Sequence, residues 1–421
     1  MHKLNSKVTD EMNFYKGASP DQLLKEFGSP LYVYNESILR KRCRDMKNLT
    51  DYNRFIASFS AKANSNLAIL EIVRSEGLKV GAMSPGEVFA VLEAGFESKD
   101  ILYVCNNVSG EEMQFAAEKG IVMGVDSVSQ LRLWGKICPQ SEVFVRFNPG
   151  IGAGHNEKVI TGGKNTKFGI DADQVCEVED AIKEFGLKVI GINQHIGSLF
   201  MEGNELAEGA RNLIEIAKKF DNLEFFSLGG GYGIPYNKQA GEQPINLKKM
   251  GETISVLIKQ FNAELGKELK YIIEPGRYVT AECGVILGYV NAVKYGGGKK
   301  YVGTDIGFNV LARPVMYDSH HDIEVYRESD FHSEKQERVY IAGNICESGD
   351  IIAADRLLPE VFEGDIIAVL DTGAYGHVMS SNYNFRLRPA EVLIRENGEA
   401  VLIRKRDTVC DILGKYKLLR E

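Results

Sequence analysis

Between residues 55 and 275 the chain alternates short apolar, β-prone runs with longer segments whose apolar residues recur at helical spacing. The helical segments include 85–94, 110–119, 127–136, 172–185, 203–220 and 246–265. The apolar runs predict eight strands, at 55–60, 79–82, 101–104, 122–126, 143–148, 189–195, 225–228 and 271–274. Short apolar strands that alternate with helices are typical of a parallel sheet buried on both faces. Eight such units predict a (β/α)8 barrel, and a doubly wound open sheet is the alternative.

After about residue 285 the pattern changes to short strands with Gly, Asp and Asn at the turns and little helix. These strands are predicted at 284–295, 339–342, 365–370, 391–395 and 400–404. A β-prone run at residues 30–34 precedes the first helix and could pair with them. The sequence therefore predicts two domains: a barrel at 38–284, and a discontinuous all-β domain made of 1–37 and 285–421.

Composition narrows the class of protein. Charged residues make up 26% of the 421 residues, and the net charge of -8 gives no reason to expect a nucleic-acid or membrane partner. No apolar run is long enough to span a bilayer, and residues 1–17 lack a signal-peptide core. The seven cysteines are scattered without CxxC spacing. We therefore expect a reduced, cytoplasmic protein with no disulfide and no metal site.

Chemistry-bearing residues follow four of the predicted strands. Lys62 comes after the first, His195 ends the sixth, three glycines at 229–231 follow the seventh, and Glu274 ends the eighth, just before Gly276 and Arg277. The C-terminal ends of the strands of a barrel meet at one mouth, where active sites of this fold lie. We therefore expect these groups to converge.

Each of these residue types fits one part of pyridoxal phosphate. A desolvated lysine amine can form an imine with a carbonyl. Glycine-rich loops let backbone N–H groups approach a phosphate. A flat imidazole can stack on a ring, and a carboxylate keeps a pyridine nitrogen protonated. The sequence therefore predicts a pyridoxal-phosphate site.

Motifs in the same order along nearly the whole chain resemble those of the fold-type III pyridoxal-phosphate-dependent decarboxylases. They are Ala61–Asn64, Ser84–Glu87, Thr166–Gly169, His195–Ser198, the triple glycine, Glu274–Arg277, Arg313–Pro314 with Tyr317, Cys346–Asp350 and Ala374–Gly376. The resemblance implies a barrel of the alanine-racemase type with a C-terminal all-β domain. Within this family the chain is most similar to the branch that acts on meso-2,6-diaminopimelate.

The resemblance also implies roles for individual residues. Lys62 would carry the cofactor covalently, His195 would stack on its ring, and Glu274 would pair with its ring nitrogen. The phosphate would be held by Ser198, Gly230, Gly231, Gly276 and Tyr375, and Arg277 would also contact the cofactor.

For the substrate, the resemblance implies that a distal carboxylate binds Arg277, Arg313 and Tyr317, since guanidinium groups bind carboxylates in a bidentate fashion. Glu347 would contact the distal amino group, Tyr375 would also face the substrate, and Cys346 would protonate the carbanion. The Cys346 loop would reach the active site of a second subunit, which implies a homodimer with shared sites.

The implied reaction converts meso-2,6-diaminopimelate to L-lysine and carbon dioxide, the last step of lysine biosynthesis. One alternative is decarboxylation of ornithine, carboxynorspermidine or a carrier-bound glutamate. A racemase on the same barrel is disfavoured by Glu274, because a full electron sink suits decarboxylation. A regulatory homologue without activity is disfavoured by the presence of Lys62, Cys346 and Tyr375 together. The glycine-rich loop at 161–167 is predicted to be a lid that excludes water.

Overall fold

The computed structural model of the chain describes residues 1–104, 106–154, 161–163, 166–329 and 335–419. The chain divides into two compact units. The barrel unit consists of Arg40–Ile234 and Pro244–Val279. The β-rich unit consists of Met1–Leu39, Pro235–Gln243 and Thr280–Glu421. Residues 38–39, 235–243 and 280–284 lie inside the range predicted for the barrel and cluster with the β-rich unit.

The strands are numbered in chain order. They are β1 (His2–Lys3), β2 (Leu31–Asn35), β3 (Phe55–Ser60), β4 (Lys79–Ala82), β5 (Ile101–Val104), β6 (Val122–Val125), β7 (Glu142–Arg146), β8 (Ala153–Gly154), β9 (Lys188–Asn193), β10 (Gly197–Ser198), β11 (Phe225–Gly229), β12 (Lys270–Ile273), β13 (Gly284–Gly296), β14 (Lys299–Thr304), β15 (Ile323–Arg327), β16 (Gln336–Ala342), β17 (Ile351–Pro359), β18 (Ile366–Val369), β19 (Ala390–Ile394) and β20 (Ala400–Arg404).

The α-helices follow the same order. They are α1 (Val8–Glu11), α2 (Pro20–Phe27), α3 (Glu36–Lys47), α4 (Leu67–Ser75), α5 (Pro85–Glu93), α6 (Gly110–Glu118), α7 (Val128–Ile137), α8 (Val175–Phe185), α9 (Asn204–Asn212), α10 (Ile214–Ala217), α11 (Leu247–Leu265), α12 (Arg277–Thr280), α13 (Arg313–Tyr317) and α14 (Val409–Leu413). Among the described residues, no helix has both the length and the apolar character that a bilayer crossing requires.

The barrel unit is a closed barrel of eight strands in the order β11-β12-β3-β4-β5-β6-β7-β9. Every neighbouring pair in it is parallel. The predicted (β/α)8 barrel is therefore confirmed, and the open-sheet alternative is wrong. Several barrel helices begin at a polar residue whose side chain accepts a backbone N–H, as Ser84, Ser109 and Ser127 do. These N-caps fix where each helix starts after its strand.

Aromatic side chains fill the lower part of the barrel interior. Phe144 of β7 and Phe225 of β11 pack edge to face with their ring centroids 5.6 Å apart, in a buried cluster with Ile190. Glycines on the neighbouring strands make room for them. A Cβ on Gly124 would lie 2.3 Å from the Phe144 ring, and one on Gly191 would lie 2.1 Å from the Phe225 ring. This packed floor leaves only the C-terminal end of the barrel free for polar chemistry.

The β-rich unit is built on one large, mostly antiparallel sheet, which confirms the predicted all-β character of the C-terminal part. The N-terminal strand β2 pairs with β13 and β19, which are distant in sequence. Strands β1, β14, β15 and β17 of this sheet were not predicted from the sequence. In β15 the charged residues Glu324 and Arg327 are almost fully buried, so the strand lacks a plain apolar pattern.

Candidate active site

Lys62 lies directly after β3, in the 3₁₀ turn Ala61–Ala63. Its side chain is exposed, whereas Ala61 and Ala63 are buried. The expectation of a desolvated amine is therefore wrong. The tight turn buries the two alanines and directs the lysine side chain away from the packed interior. The exposed amine is accessible to a ligand that enters the barrel mouth.

Glu274 is buried at the end of β12, with 7% of its surface exposed. Its Oε1 accepts hydrogen bonds from Asn193 Nδ2 at 2.6 Å and from the Ser227 hydroxyl. Burial raises the pKa of Glu274, while the Ser227 bond and the charges of Arg146 and Lys62 oppose that rise. Oε1 accepts both hydrogen bonds, so Oε2 is the oxygen that can accept one from a ligand.

The turn that carries Lys62 is tied to the Glu274 segment. Ser60 N–H donates to the Pro275 carbonyl at 3.1 Å, and the Ser60 hydroxyl donates to the Glu274 carbonyl at 3.1 Å. These bonds join the ends of the neighbouring strands β3 and β12. The amine and the carboxylate that the sequence predicted to act together are therefore held on adjacent strand ends.

His195 is half-buried after β9, and Gly230 N–H donates to its Nδ1 at 3.2 Å. An Nδ1 that accepts a hydrogen bond belongs to a neutral ring protonated at Nε2. Burial, followed by the charges of Lys62 and Arg146, holds the His195 pKa well below its usual range. The ring is therefore uncharged at neutral pH, as a flat stacking partner requires.

The glycines after β11 have almost no room for side chains. A Cβ on Gly230 would lie 2.2 Å from the Glu274 carbonyl oxygen, and one on Gly231 would lie 2.5 Å from the Gly197 carbonyl oxygen. Gly231 also has φ +113, which side-chain-bearing residues rarely adopt. The loops after β9, β11 and β12 therefore approach each other closely enough to present backbone N–H groups to one anion.

Replacement of Gly230 by alanine is expected to weaken the binding of pyridoxal phosphate. The new Cβ would force the loops after β11 and β12 apart, and such overpacking costs about 1–3 kcal/mol. We expect the Kd for the cofactor to rise by about 10- to 100-fold, measured by titrating the cofactor into the full-length protein. Gly296→Ala is the control, since no atom lies within 4 Å of its added Cβ. Equal affinity of the two variants would contradict this role of the loop.

Ser198 and Arg277 lie together at the same mouth. Arg277 Nη2 donates to the Ser198 hydroxyl at 3.1 Å, and Arg277 is 7% exposed. Gly276 precedes Arg277 in the segment that leaves β12 and is buried. The structure therefore brings the predicted residues Lys62, His195, Ser198, Gly230, Gly231, Glu274, Gly276 and Arg277 together at one end of the barrel unit.

Three further residues of this mouth were not predicted from the sequence. Asn193 and Ser227 are the inward donors to Glu274, and Arg146 ends β7 two positions after the interior residue Phe144. Side chains two apart on a strand share a face, so Arg146 continues the interior row. Every second side chain of a predicted strand points into the barrel, and this rule would have identified Arg146 and Ser227 near the strand ends.

These groups fit pyridoxal phosphate. The exposed amine of Lys62 can form an imine, and Gly230 and Gly231 form a cradle that a Cβ would fill. The Oε2 of Glu274 and the uncharged ring of His195 suit a pyridine nitrogen and the face of its ring. The donor set and the glycine loop therefore match the three chemical parts of the cofactor.

The β-rich unit holds Arg313, which is 1% exposed. Its Nη1 donates to His321 Nε2 at 2.8 Å, and its guanidinium lies 4.5 Å from the centre of the Tyr236 ring. His321 Nδ1–H in turn donates to the Leu370 carbonyl at 2.7 Å, which fixes the tautomer that accepts from Arg313. Tyr317, half-buried, ends the same short helix. Arg313 is thus rigidly held, and its contact with a substrate stays a prediction.

Cys346 and Glu347 lie on an exposed loop of the β-rich unit. The Asp350 carboxylate shapes this loop by accepting the backbone N–H groups of Ile345 at 2.8 Å and Phe308 at 2.7 Å. Cys346 N–H donates to Asn384 Oδ1 at 2.8 Å. The loop therefore presents the thiol outward on a fixed backbone, where a partner molecule can reach it.

Tyr375 is half-buried in the β-rich unit and has φ +55. A bulky residue rarely adopts this left-handed conformation, so the backbone at Tyr375 is strained. Its predicted contacts with phosphate and substrate stay a prediction. The predicted lid at 161–167 is only partly within the described chain, since residues 164 and 165 lie outside it.

Comparison with known proteins places this geometry in a family. The model for the pyridoxal binding domain of pyridoxal-dependent decarboxylases matches residues 36–281. The chain is 40% identical to the diaminopimelate decarboxylase of Methanothermobacter thermautotrophicus, with 94% of each chain covered. It is 36% identical to the diaminopimelate decarboxylase of Escherichia coli K12, with 93% of this chain and 95% of that protein covered.

Solved structures agree. The diaminopimelate decarboxylase of Helicobacter pylori, complexed with L-lysine, superposes with a TM-score of 0.86 at 28% identity, covering 94% of this chain and 98% of that one. The M. jannaschii diaminopimelate decarboxylase in co-complex with L-lysine gives 0.85 at 31% identity, covering 96% and 95%. The chain therefore belongs to the pyridoxal-dependent decarboxylases and, within them, to the diaminopimelate decarboxylases.

Proposed function

We propose that the protein converts meso-2,6-diaminopimelate to L-lysine and carbon dioxide with pyridoxal phosphate as cofactor, in the last step of lysine biosynthesis. The observation that carries this proposal is the convergence of Lys62, His195 and Glu274 at one barrel mouth, in a chain 40% identical to a diaminopimelate decarboxylase. Both of the similar structures described above are complexes with L-lysine, which supports the identity of the product.

The residues of the barrel mouth would bind the cofactor. Lys62 attaches it covalently, and Ser198, Gly230, Gly231 and Gly276 hold its phosphate, with Arg277 and Tyr375 as further contacts. When bound, the cofactor supplies an electron sink for the electron pair left by departing carbon dioxide. His195 supports the face of the ring in its neutral form. Glu274, whose Oε1 accepts from two donors, would keep a proton on the ring nitrogen.

Remote contacts would set the orientation of the substrate. Arg277, Arg313 and Tyr317 bind the distal carboxylate, and Glu347 binds the distal amino group. These contacts lie far from the bond that breaks, so their binding energy would hold the substrate in one orientation. Arg313 suits this role because His321 and Tyr236 hold its guanidinium in one position.

Cys346 would then deliver the proton to the carbon that lost carbon dioxide. Its exposure on the surface loop supports a site shared with a second subunit, in a homodimer whose loop supplies Cys346 and Glu347 to the neighbouring barrel. A cytoplasmic location agrees with the lack of disulfide bonds among the cysteines that the structure describes, which are Cys43, Cys138, Cys176, Cys283, Cys346 and Cys410.

The shared site predicts complementation between two inactive variants. Cys346→Ala alone is expected to lower kcat by about 100-fold or more, because it removes the proton donor. On co-expression with Lys62→Ala, about half of the dimers are mixed and have one intact site, so the mixture should regain about a quarter of wild-type activity. Activity no higher than that of the separate variants would exclude the shared site, and Cys410→Ala is the control for loss of an exposed thiol.

Product identification tests the function as a whole. Purified protein with pyridoxal phosphate is offered meso-2,6-diaminopimelate, ornithine, carboxynorspermidine and carrier-bound glutamate separately, and the products are identified by mass spectrometry. We expect L-lysine and carbon dioxide from meso-2,6-diaminopimelate. Turnover of another substrate with none of meso-2,6-diaminopimelate would establish the alternative of a related amino-acid decarboxylase.

A further inference from the structure

Three polar residues form one layer inside the barrel, directly above the aromatic floor. Arg146, Asn193 and Ser227 are register partners across β7, β9 and β11. Each lies two positions after a residue at the level of the floor, namely Phe144, Gly191 and Phe225. Asn193 and Ser227 use this position to donate to Glu274 Oε1. Arg146 is the one charged member of the layer.

The surroundings of Arg146 hold it in place. Its Nη2 donates to the Thr161 carbonyl at 3.3 Å, and its guanidinium lies 4.6 Å from the centre of the Phe168 ring. Asp126, which directly follows β6 and is 7% exposed, interacts electrostatically with Arg146, and Asp126 Oδ2 has no hydrogen-bond partner among the described residues. Burial lowers the Arg146 pKa to about 10, so the guanidinium stays charged at neutral pH.

Several ionisable groups act on Glu274 from the surrounding elements. Arg146 on β7 and Lys62 after β3 lower its pKa. Burial, followed by the negative charge of Glu274, raises the pKa of Tyr232, which follows β11. His195 after β9 is neutral. Lys62 cannot act as a permanent countercharge, since its amine exchanges covalent partners in the proposed reaction. Arg146 takes no part in bond exchange, and its charge is constant.

We propose that Arg146 is a positioning residue. From the layer that it shares with Asn193 and Ser227, its positive charge holds Glu274 ionised, and the negative charge of Asp126 weakens that effect. Glu274 is fully useful to a ring nitrogen only as a carboxylate, and its burial works against that state. Neutral donors such as Asn193 and Ser227 lower the cost of the charge, and a fixed cation lowers it further. This inference rests on the proposed function of Glu274 as the partner of the cofactor ring.

The test measures the protonation of Glu274 directly in the full-length, cofactor-free protein. Carboxyl carbons of glutamate are labelled with carbon-13, and the Glu274 resonance is assigned by its absence in Glu274→Gln. In Arg146→Gln the midpoint of the Glu274 titration should rise by about one pH unit, whereas Arg146→Lys, which keeps the charge, should restore most of the wild-type value. An unchanged midpoint in Arg146→Gln overturns the proposal.

Asp126→Asn provides an independent test if Arg146→Gln does not fold. Loss of the opposing carboxylate frees more of the Arg146 charge, so the Glu274 midpoint should fall, and an unchanged or raised midpoint overturns the proposal. In the loaded enzyme, the acid limb of the kcat profile of Arg146→Gln should move to higher pH by a similar amount, with KM nearly constant. The titration needs no substrate, so its outcome is separate from failure of the proposed reaction with meso-2,6-diaminopimelate.

Discussion

Replacement of Lys62 by alanine is expected to lower kcat by about 1,000-fold or more and to remove the visible absorbance of covalently bound pyridoxal phosphate. Among the mouth residues described above, Lys62 carries the only primary amine, the group through which the cofactor would be held covalently. General acid–base and covalent contributions of one such residue are worth about 10²–10⁴-fold. The measurements are an absorbance spectrum of the reconstituted protein and initial rates of lysine formation.

The control is Lys248→Ala, an exposed lysine on helix α11 of the same barrel unit. It should keep both the absorbance and the rate of the wild type. Because Lys62 is itself exposed, its truncation leaves no cavity, and the cofactor-free variant should still fold. A Lys62→Ala protein that retained the absorbance band and turned over substrate would require another attachment site.

The strands of the barrel could be predicted because parallel strands covered on both faces leave continuous apolar runs. The run Phe55–Ser60 has the same bounds in the prediction from sequence and in the structure. The strand Ile323–Arg327 could not be found this way, because Glu324 is buried against Thr9 and Arg327 against Asp365, partners far away in the sequence. Pairing of buried charges over such distances leaves no local pattern.

In the active site too, residues marked by a local sequence pattern could be predicted, and residues defined by distant contacts could not. Lys62 follows one predicted strand and Glu274 ends another, and at these strand ends the barrel fold itself indicates function. Asn193 and Ser227 are uncharged polar residues inside strands, and a single position of that kind is common in sheets. Their importance comes from their shared acceptor, Glu274 Oε1, which only the three-dimensional structure identifies. The exposure of Lys62 also depends on a local 3₁₀ turn that the sequence did not predict.

Replacement of Glu274 by glutamine is expected to produce a more stable but much slower enzyme. Glutamine has the same shape and keeps an oxygen for Asn193 and Ser227, so the fold should be retained. The charge that keeps the ring nitrogen protonated is lost, and removal of one such electrostatic contact costs about 10²–10³-fold in kcat. KM should change little, because the substrate contacts proposed for Arg277 and Arg313 are unaffected. Initial rates over a range of substrate concentrations measure both constants.

The stability change follows from the raised pKa of Glu274. When the pKa of a carboxyl group is higher in the folded protein than in the unfolded chain, the group disfavours folding once it is ionised. This cost appears as the pH rises from the unfolded-state pKa through the folded-state pKa. Wild-type protein at pH 7 therefore bears the cost of a buried carboxylate, and the glutamine variant does not. The cofactor-free variant should unfold at a higher Tm than the wild type at pH 7, and the difference should shrink toward pH 4.

Glu252→Gln, an exposed site on α11, should show neither effect. A glutamine variant with lower activity and a lower Tm at pH 7 would show that Glu274 mainly supports the fold. A buried carboxylate that is kept for its chemistry is expected to destabilise the folded protein, so its removal should raise the Tm.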